Sequence, residues 1–185
     1  MRKERSVVPD NIVMVLKDSA MGRVKQIVKT SLDGTHNIVT NAGNRHYAQR
    51  GAASTPAYLM TTMTVASSIR AASAGATYGD FRNQVNVSTV LGAQLIDSGY
   101  PTTSDSDVDN TGADSDVVSW LRTFSTTQGN GTIRAVAIHQ TGAAATPGAQ
   151  TTTQLLLNAF ALAVSVVKTS SDTLRVFVNH TFLGV

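Results

Sequence analysis

The chain of 185 residues contains no cysteine. This absence excludes a disulfide framework, cysteine-ligated zinc, iron–sulfur clusters and a thiol nucleophile. It leaves the cellular compartment open, because a chain without cysteine survives in any redox environment. Glu4 is the only glutamate, which excludes a coiled coil of the usual composition rich in Glu, Lys and Leu.

Charged and aromatic residues are also few, at 15% and 5% of the chain. With 42% apolar residues and a net charge of only +3, the chain does not have the composition of a disordered charged tail. The longest apolar stretch, residues 155–167, is shorter than the roughly 20 residues that a membrane span needs. No apolar segment with a cleavage site follows the charged N-terminus. We therefore expect synthesis and folding in a cytoplasm and no membrane partner.

Threonine, serine, alanine and valine are abundant instead, and valine and threonine favour β-strands. Short apolar or alternating runs are separated by turn signals such as Asp33-Gly34 and Gly129-Asn130-Gly131. Strands without a regular strand–helix alternation predict an all-β fold, an antiparallel β-sandwich that is jelly-roll-like. The predicted strands cover residues 11–16, 23–32, 58–69, part of 81–96, 117–124, 133–139, 155–167 and 173–183.

Two of these strands alternate clearly enough to predict which residues share a face. In the last strand, one face carries Leu174, Val176, Val178, His180 and Phe182. In the strand at 133–139, one face carries Ile133, Ala135, Ala137 and His139, and the other carries Arg134, Val136 and Ile138.

Positive charge is concentrated near the N-terminus. Residues 1–50 contain nine Lys or Arg and four Asp or Glu, whereas residues 51–185 contain six and eight. We predict a basic N-terminal arm and hairpin at residues 1–32, the arm being extended, and a β-sandwich domain at residues 33–185. Arg2, Lys3 and Arg5 are the predicted partner-contact residues. Their segment has no interleaved aromatic residues, which argues against a nucleic-acid partner and leaves a contact with a neighbouring protein or a solvated face.

An acidic loop is the strongest metal candidate in the sequence. Asp105, Asp107 and Asp109 alternate, and Asp116 is the twelfth residue from Asp105, as in a calcium-binding loop. The sixth position is Asn110, where that loop requires glycine, and the twelfth is aspartate rather than glutamate. Calcium binding and a solvated acidic surface both stay open, and we assign no metal and no cofactor.

No motif localises a catalytic centre. The chain has no G-x-S-x-G nucleophile elbow and no glycine-rich phosphate loop. A single glutamate leaves few carboxylate pairs for glycosidase chemistry. We predict a protein that is not an enzyme, with no catalytic residue. Trp120 is expected in a core or an interface rather than as a sugar-stacking platform. The four histidines, His36, His46, His139 and His180, lack the spacing of metal ligands.

Three segments carry a resemblance to a known group of proteins. They resemble segments of tailed-bacteriophage structural proteins. The first is T-H-N-I-V-T-N-A-G at residues 35–43, the second is the hairpin with T-I-R at 120–138, and the third is V-K-T-S-S-D-T-L-R-V at the start of 167–182. Their order and spacing match as well, from about Asn11 onward. The chain departs from the group by lacking a G-T-G-like loop within residues 61–79 and by its acidic insertion at 104–116.

The resemblance implies a non-enzymatic structural protein of the virion. Such a protein would assemble as a symmetric homo-oligomer and contact other virion proteins of the capsid, neck or tail, with the position left open. Its basic arm would add a strand to a neighbour or wrap it. An alternative is an adhesin of the tail or a head fibre that binds host-surface glycans.

Overall fold

The computed structural model describes residues 11–30, 37–52, 59–67, 90–104, 117–140 and 155–181. Within these ranges the chain forms ten β-strands and one short helix. The elements, in chain order, are β1 (Asn11–Asp18), β2 (Val24–Thr30), β3 (Asn37–Val39), α1 (Asn41–Gly51), β4 (Met60–Ala66), β5 (Val90–Leu95), β6 (Thr102–Ser104), β7 (Val117–Phe124), β8 (Gly131–Gln140), β9 (Leu156–Lys168) and β10 (Asp172–Thr181).

The described strands form two five-stranded sheets that pack face to face. Sheet A has the order β2-β1-β10-β7-β6, and sheet B has the order β3-β9-β8-β4-β5. Every strand pair is antiparallel. The chain passes from one sheet to the other after β2, β5, β7 and β9. The predicted all-β antiparallel sandwich is therefore confirmed.

The N-terminal hairpin is an integral part of sheet A. β1 pairs with β10 along its whole length, from Asn11 opposite Asn179 to Asp18 opposite Asp172, and β2 pairs on the other side of β1. The described residues of the predicted arm and hairpin are thus two strands of the sandwich rather than a separate unit. Residues 1–10 and the predicted boundary at residue 32 lie outside the described residues.

The core between the sheets follows the period of two that a strand imposes. From sheet A, β1 buries Ile12, Met14 and Leu16. β10 buries Leu174, Val176, Val178 and His180, as its alternation predicts, while Phe182 lies outside the described residues.

The face prediction for β8 is wrong at Ile133. The pairing of β8 with β9 shifts register between Ile133 and Ala135, so the alternation is interrupted there. Ile133 packs in the main core with Val136 and Ile138, whereas Ala135 and Ala137 pack in a second cluster with Ala66, Leu156 and Ala159.

Helix α1 was not expected from the sequence, and the T-N-A-G motif explains how it forms. Thr40 is its N-cap, and the Thr40 hydroxyl oxygen accepts a hydrogen bond from the Gly43 backbone N–H at 3.1 Å. The same hydroxyl donates to the Leu156 carbonyl oxygen in β9. A Cβ atom at Gly43 would lie 2.3 Å from the carbonyl oxygen of Leu157, so only glycine lets α1 pack this closely on β9.

Candidate functional site

The most exposed apolar side chains of sheet A lie on its edge strand β2. Val24 and Ile27 are 43% and 56% exposed. β2 pairs with β1 on one side, and in the described residues no strand pairs with its other side. An antiparallel edge strand directs alternate backbone N–H and C=O groups away from the sheet. In this part of the chain, the outer side of β2 therefore combines exposed apolar side chains with backbone groups that face no neighbouring strand.

The outer face of sheet A beside this edge is basic. Lys17 lies opposite Val24, Lys29 opposite Val13, and Arg175 opposite Val15. Arg175 also stacks over the ring of Phe177, with its guanidinium carbon 4.9 Å from the ring centroid. The acidic residues of β1, β2 and β10 are Asp18, half-buried at the end of β1, and Asp172, which is buried. We call Val24, Ile27 and Lys29 the β2 edge, and Lys17 lies beside it on β1.

A cleft of about 470 Å³ opens on the other side of the molecule, between α1 and the strands β4, β6 and β7. Its walls are aromatic and aliphatic, and the exposed Arg50 of α1 supplies a positive charge. Trp120 is only 1% exposed, which agrees with the prediction of a core residue. The cleft is lined by His46, Tyr47, Arg50, Leu59, Met60, Thr61, Tyr100, Pro101, Thr102, Thr103, Val118 and Trp120.

A buried polar chain fixes the inner wall of the cleft. The Ile138 backbone N–H donates to Asn158 Oδ1 at 3.2 Å, which leaves Asn158 Nδ2 to donate to His180 Nε2. His180 Nδ1 therefore carries the ring proton and donates to the Tyr47 hydroxyl. Trp120 Nε1 donates to the same hydroxyl at 3.1 Å. Burial lowers the pKa of His180 to about 3, so this histidine is neutral at physiological pH.

His139 is buried in the same way but in sheet B. Its Nδ1 donates to the Gln140 carbonyl oxygen at 2.8 Å, so Nε2 accepts from the Thr64 hydroxyl, also at 2.8 Å. Burial lowers its pKa to about 4. Three of the four histidines are thus buried members of the fold, namely His46, His139 and His180, and His36 lies outside the described residues.

The turn between β9 and β10 holds a second buried polar cluster. Asp172 accepts from Lys25 Nζ at 2.6 Å and from both the backbone N–H and the hydroxyl of Thr169. The hydrogen bond from Lys25 is the main reason that the pKa of Asp172 falls to about 2. Lys168 Nζ donates to Asn130 Oδ1 at 2.7 Å, and burial lowers the pKa of Lys168. This contact joins two of the three segments that carry the resemblance.

Several predicted site features lie outside the described residues. These are the partner-contact residues Arg2, Lys3 and Arg5 and the acidic loop from Asp105 to Asp116. Within the described ranges, no three His, Cys, Asp or Glu side chains come together as a metal site. In the same part of the chain, no helix is both long and apolar enough to cross a membrane.

Sequence reasoning missed both the cleft and the apolar exposure of β2. Arg50 belongs to a helix that the sequence pattern did not predict, so nothing placed it beside Tyr100. The edge position of β2 depends on its pairing with a single strand, which composition does not show.

Comparisons with known proteins find no matching family, no matching curated protein and no matching solved structure.

Proposed function

We propose that this chain is a non-enzymatic structural protein of a tailed-bacteriophage virion, which assembles as a symmetric homo-oligomer on the capsid, neck or tail. The observation that carries the proposal is the β2 edge, where Val24 and Ile27 are exposed and where, among the described strands, none pairs with the outer side of β2. Natural proteins cover such edges, and assembly with a neighbouring chain is one way to do so. Its location would be the virion, after synthesis in the host cytoplasm.

The residues behind the resemblance support an architectural role. Thr40 caps α1, Gly43 allows the close contact with β9, and Asn130 and Asp172 hold the turns at one end of the sandwich. Each of these residues acts by positioning backbone or filling space.

Counting the chain in purified particles tests the proposal directly. Quantitative mass spectrometry of virions of the phage that encodes the chain should find it in a fixed ratio to the major capsid protein. Hundreds of copies indicate a capsid decoration protein, and about a dozen indicate the neck or tail. Its absence from the particle would refute the proposal. Deletion of residues 1–10, with Arg2, Lys3 and Arg5, should abolish incorporation while the circular dichroism spectrum of the sandwich stays unchanged.

The cleft favours a second candidate function, an adhesin that binds host-surface glycans. Tyr100 offers a ring to a sugar and Arg50 a charge to an acidic sugar. A glycan array should then show binding that Arg50→Ala and Tyr100→Ala both remove. Arg45→Ala is the matched control, because Arg45 lies on the same helix, is exposed and does not line the cleft. An array without signal would reject this function.

A further inference from the structure

We propose that the β2 edge and the outer face of sheet A beside it bind an extended segment of another virion protein. The segment carries a central apolar residue with an acidic residue two positions away on each side, and it adds a strand to sheet A outside β2. The proposal rests on the proposed function, because it states the chemistry of a neighbour that covers this edge. Among the described strands, only β1 pairs with β2.

The outer face of sheet A is apolar next to β2. Ile27 lies opposite Val15 of β1 in one row across the sheet. In the next outward-facing row, Lys29 lies opposite Val13, and Val13 lies opposite Phe177 of β10. Val13, Val15 and Phe177 are half-buried, whereas Ile27 at the edge is 56% exposed. Because the outer face of a sandwich sheet ordinarily presents polar residues to water, this apolar surface indicates a site for a partner.

Three basic side chains border this apolar surface, namely Lys17, Lys29 and Arg175. Within the described residues, none of the three forms an ion pair. The carboxylates of the same strands are engaged inside the fold, since Asp18 accepts from two backbone N–H groups of the β1–β2 turn and Asp172 is buried. A partner that brings carboxylates to this surface would form charge-assisted hydrogen bonds with the three cations. Complementary charge of this kind selects the partner.

The described residues disfavour a second copy of the chain as the occupant. A contact between two β2 edges would bring Lys17 and Lys29 of one copy close to their equivalents in the other, and like charges on neighbouring strands are destabilising. Lysine on an edge strand is also a device by which proteins avoid pairing with themselves. The other edge strands of the described sheets, β3, β5 and β6, contain no aspartate or glutamate. We therefore assign the segment to a different protein.

The order of side chains along β2 sets the pattern of the segment. Alternate residues of a strand share a face, so the residues that flank a central position at a distance of two point the same way as that position. An apolar residue beside Ile27 would bury its exposed side chain. A carboxylate two positions away then lies beside Lys29, and the opposite one lies at the Val24 end, where Lys17 is on the neighbouring strand. The pattern is the same in both chain directions, so it fits parallel and antiparallel pairing.

A synthetic peptide tests the site with the full chain. The probe is a fluorescein-labelled heptapeptide of sequence T-E-T-V-T-E-T, and fluorescence anisotropy measures its binding. We expect the wild-type chain to bind this peptide and to bind T-K-T-V-T-K-T at least roughly tenfold more weakly. Lys17→Glu with Lys29→Glu should reverse this preference, because the basic peptide then meets the opposite charge. A fully N-methylated acidic peptide should not bind, since it lacks the N–H donors that strand pairing requires.

A matched control separates the site from net charge. Arg45→Glu with Arg134→Glu makes the same change in charge at exposed positions on α1 and β8, and it should leave the preference for the acidic peptide unchanged. Unchanged circular dichroism would show that both double variants fold. Absence of binding, equal binding of the acidic and basic peptides, or full binding of the N-methylated peptide would overturn the proposal.

Sedimentation of the wild-type chain tests the assignment to another protein. If the chain associates with itself and the acidic peptide disperses the oligomer, a second copy occupies the β2 edge and the assignment is wrong. The peptide results do not depend on the copy number in virions. Absence of the chain from particles would therefore refute the proposed function separately from the binding site.

Discussion

Replacing Gly43 with alanine tests how tightly α1 is seated on sheet B. The added Cβ would lie 2.3 Å from the Leu157 carbonyl oxygen and 2.8 Å from Val39 Cγ1. Both neighbours are held in place, the first by the backbone of β9 and the second by strand β3. The helix must therefore move outward, which strains the contacts that Thr40 makes as N-cap.

The expected loss of stability follows from three opposing contributions. Overpacking of this kind costs about 1–3 kcal/mol, and a weakened cap costs about 1 kcal/mol. Alanine regains about 1 kcal/mol through its higher helix propensity. Gly43→Ala should thus lower the free energy of unfolding by about 2 kcal/mol. For a chain of this length, that corresponds to a fall in Tm of about 4–8 °C.

Urea unfolding monitored by tryptophan fluorescence measures this loss, since Trp120 is the only tryptophan and its indole N–H bonds to Tyr47 of the same helix. Gly51→Ala is the matched control, because Gly51 ends the same helix and nothing lies within 4 Å of its added Cβ. The control should be neutral or slightly more stable. If Gly43→Ala unfolds at the wild-type urea concentration, the close packing of α1 on β9 is refuted.

Three further perturbations follow from the buried polar groups. Tyr47→Phe removes the hydroxyl that accepts hydrogen bonds from Trp120 and His180. It should lower the free energy of unfolding in urea by about 1–3 kcal/mol and shift the tryptophan emission. His139 and His180 have folded-state pKa values of about 4 and 3, below the ordinary 6.5, so the unfolded chain binds more protons and stability should fall as pH drops below about 6.5. The free energy of unfolding should fall by up to about 1.4 kcal/mol per pH unit for each histidine, and His139→Gln should remove about half of this pH dependence. A urea midpoint that does not change between pH 4 and 6.5 would contradict this. Asp172 has its pKa lowered to about 2, so its stabilising effect is present above about pH 4 and lost toward pH 2, and Asp172→Asn should flatten an acid titration of Tm in that range.

The sequence was most informative where one strand had one buried face. β7 occupies residues 117–124 as predicted, and β10 buries the residues that its alternation selected. Ile133 shows the limit of the method, because a register shift reverses which side chains share a face, and the shift depends on the partner strand. Alternation in one strand carries no information about an irregularity in its neighbour.

Helix α1 escaped prediction because its buried side is not apolar. The residues that it buries are Gly43 and His46, and the segment N-A-G-N-R-H-Y-A-Q-R-G has no apolar stripe at helical spacing. Its cap at Thr40 is local, but the contacts that hold the helix on β9 involve residues more than a hundred positions away. The cleft beside α1 was hidden for the same reason. Local patterns predict elements, whereas sites formed by distant elements require the pairing of those elements to be known.

The pairing of β1 with β10 also decides when this chain can fold. Lys25 and Asp172, which tie the N-terminal hairpin to the last turn, are 147 residues apart. A ribosome that has finished β1 and β2 has not yet made the strand on which they pack, so the centre of sheet A forms only once β10 has emerged. Folds dominated by such distant contacts form slowly. The sandwich is therefore completed only after the last of its strands has been made, rather than strand by strand during synthesis.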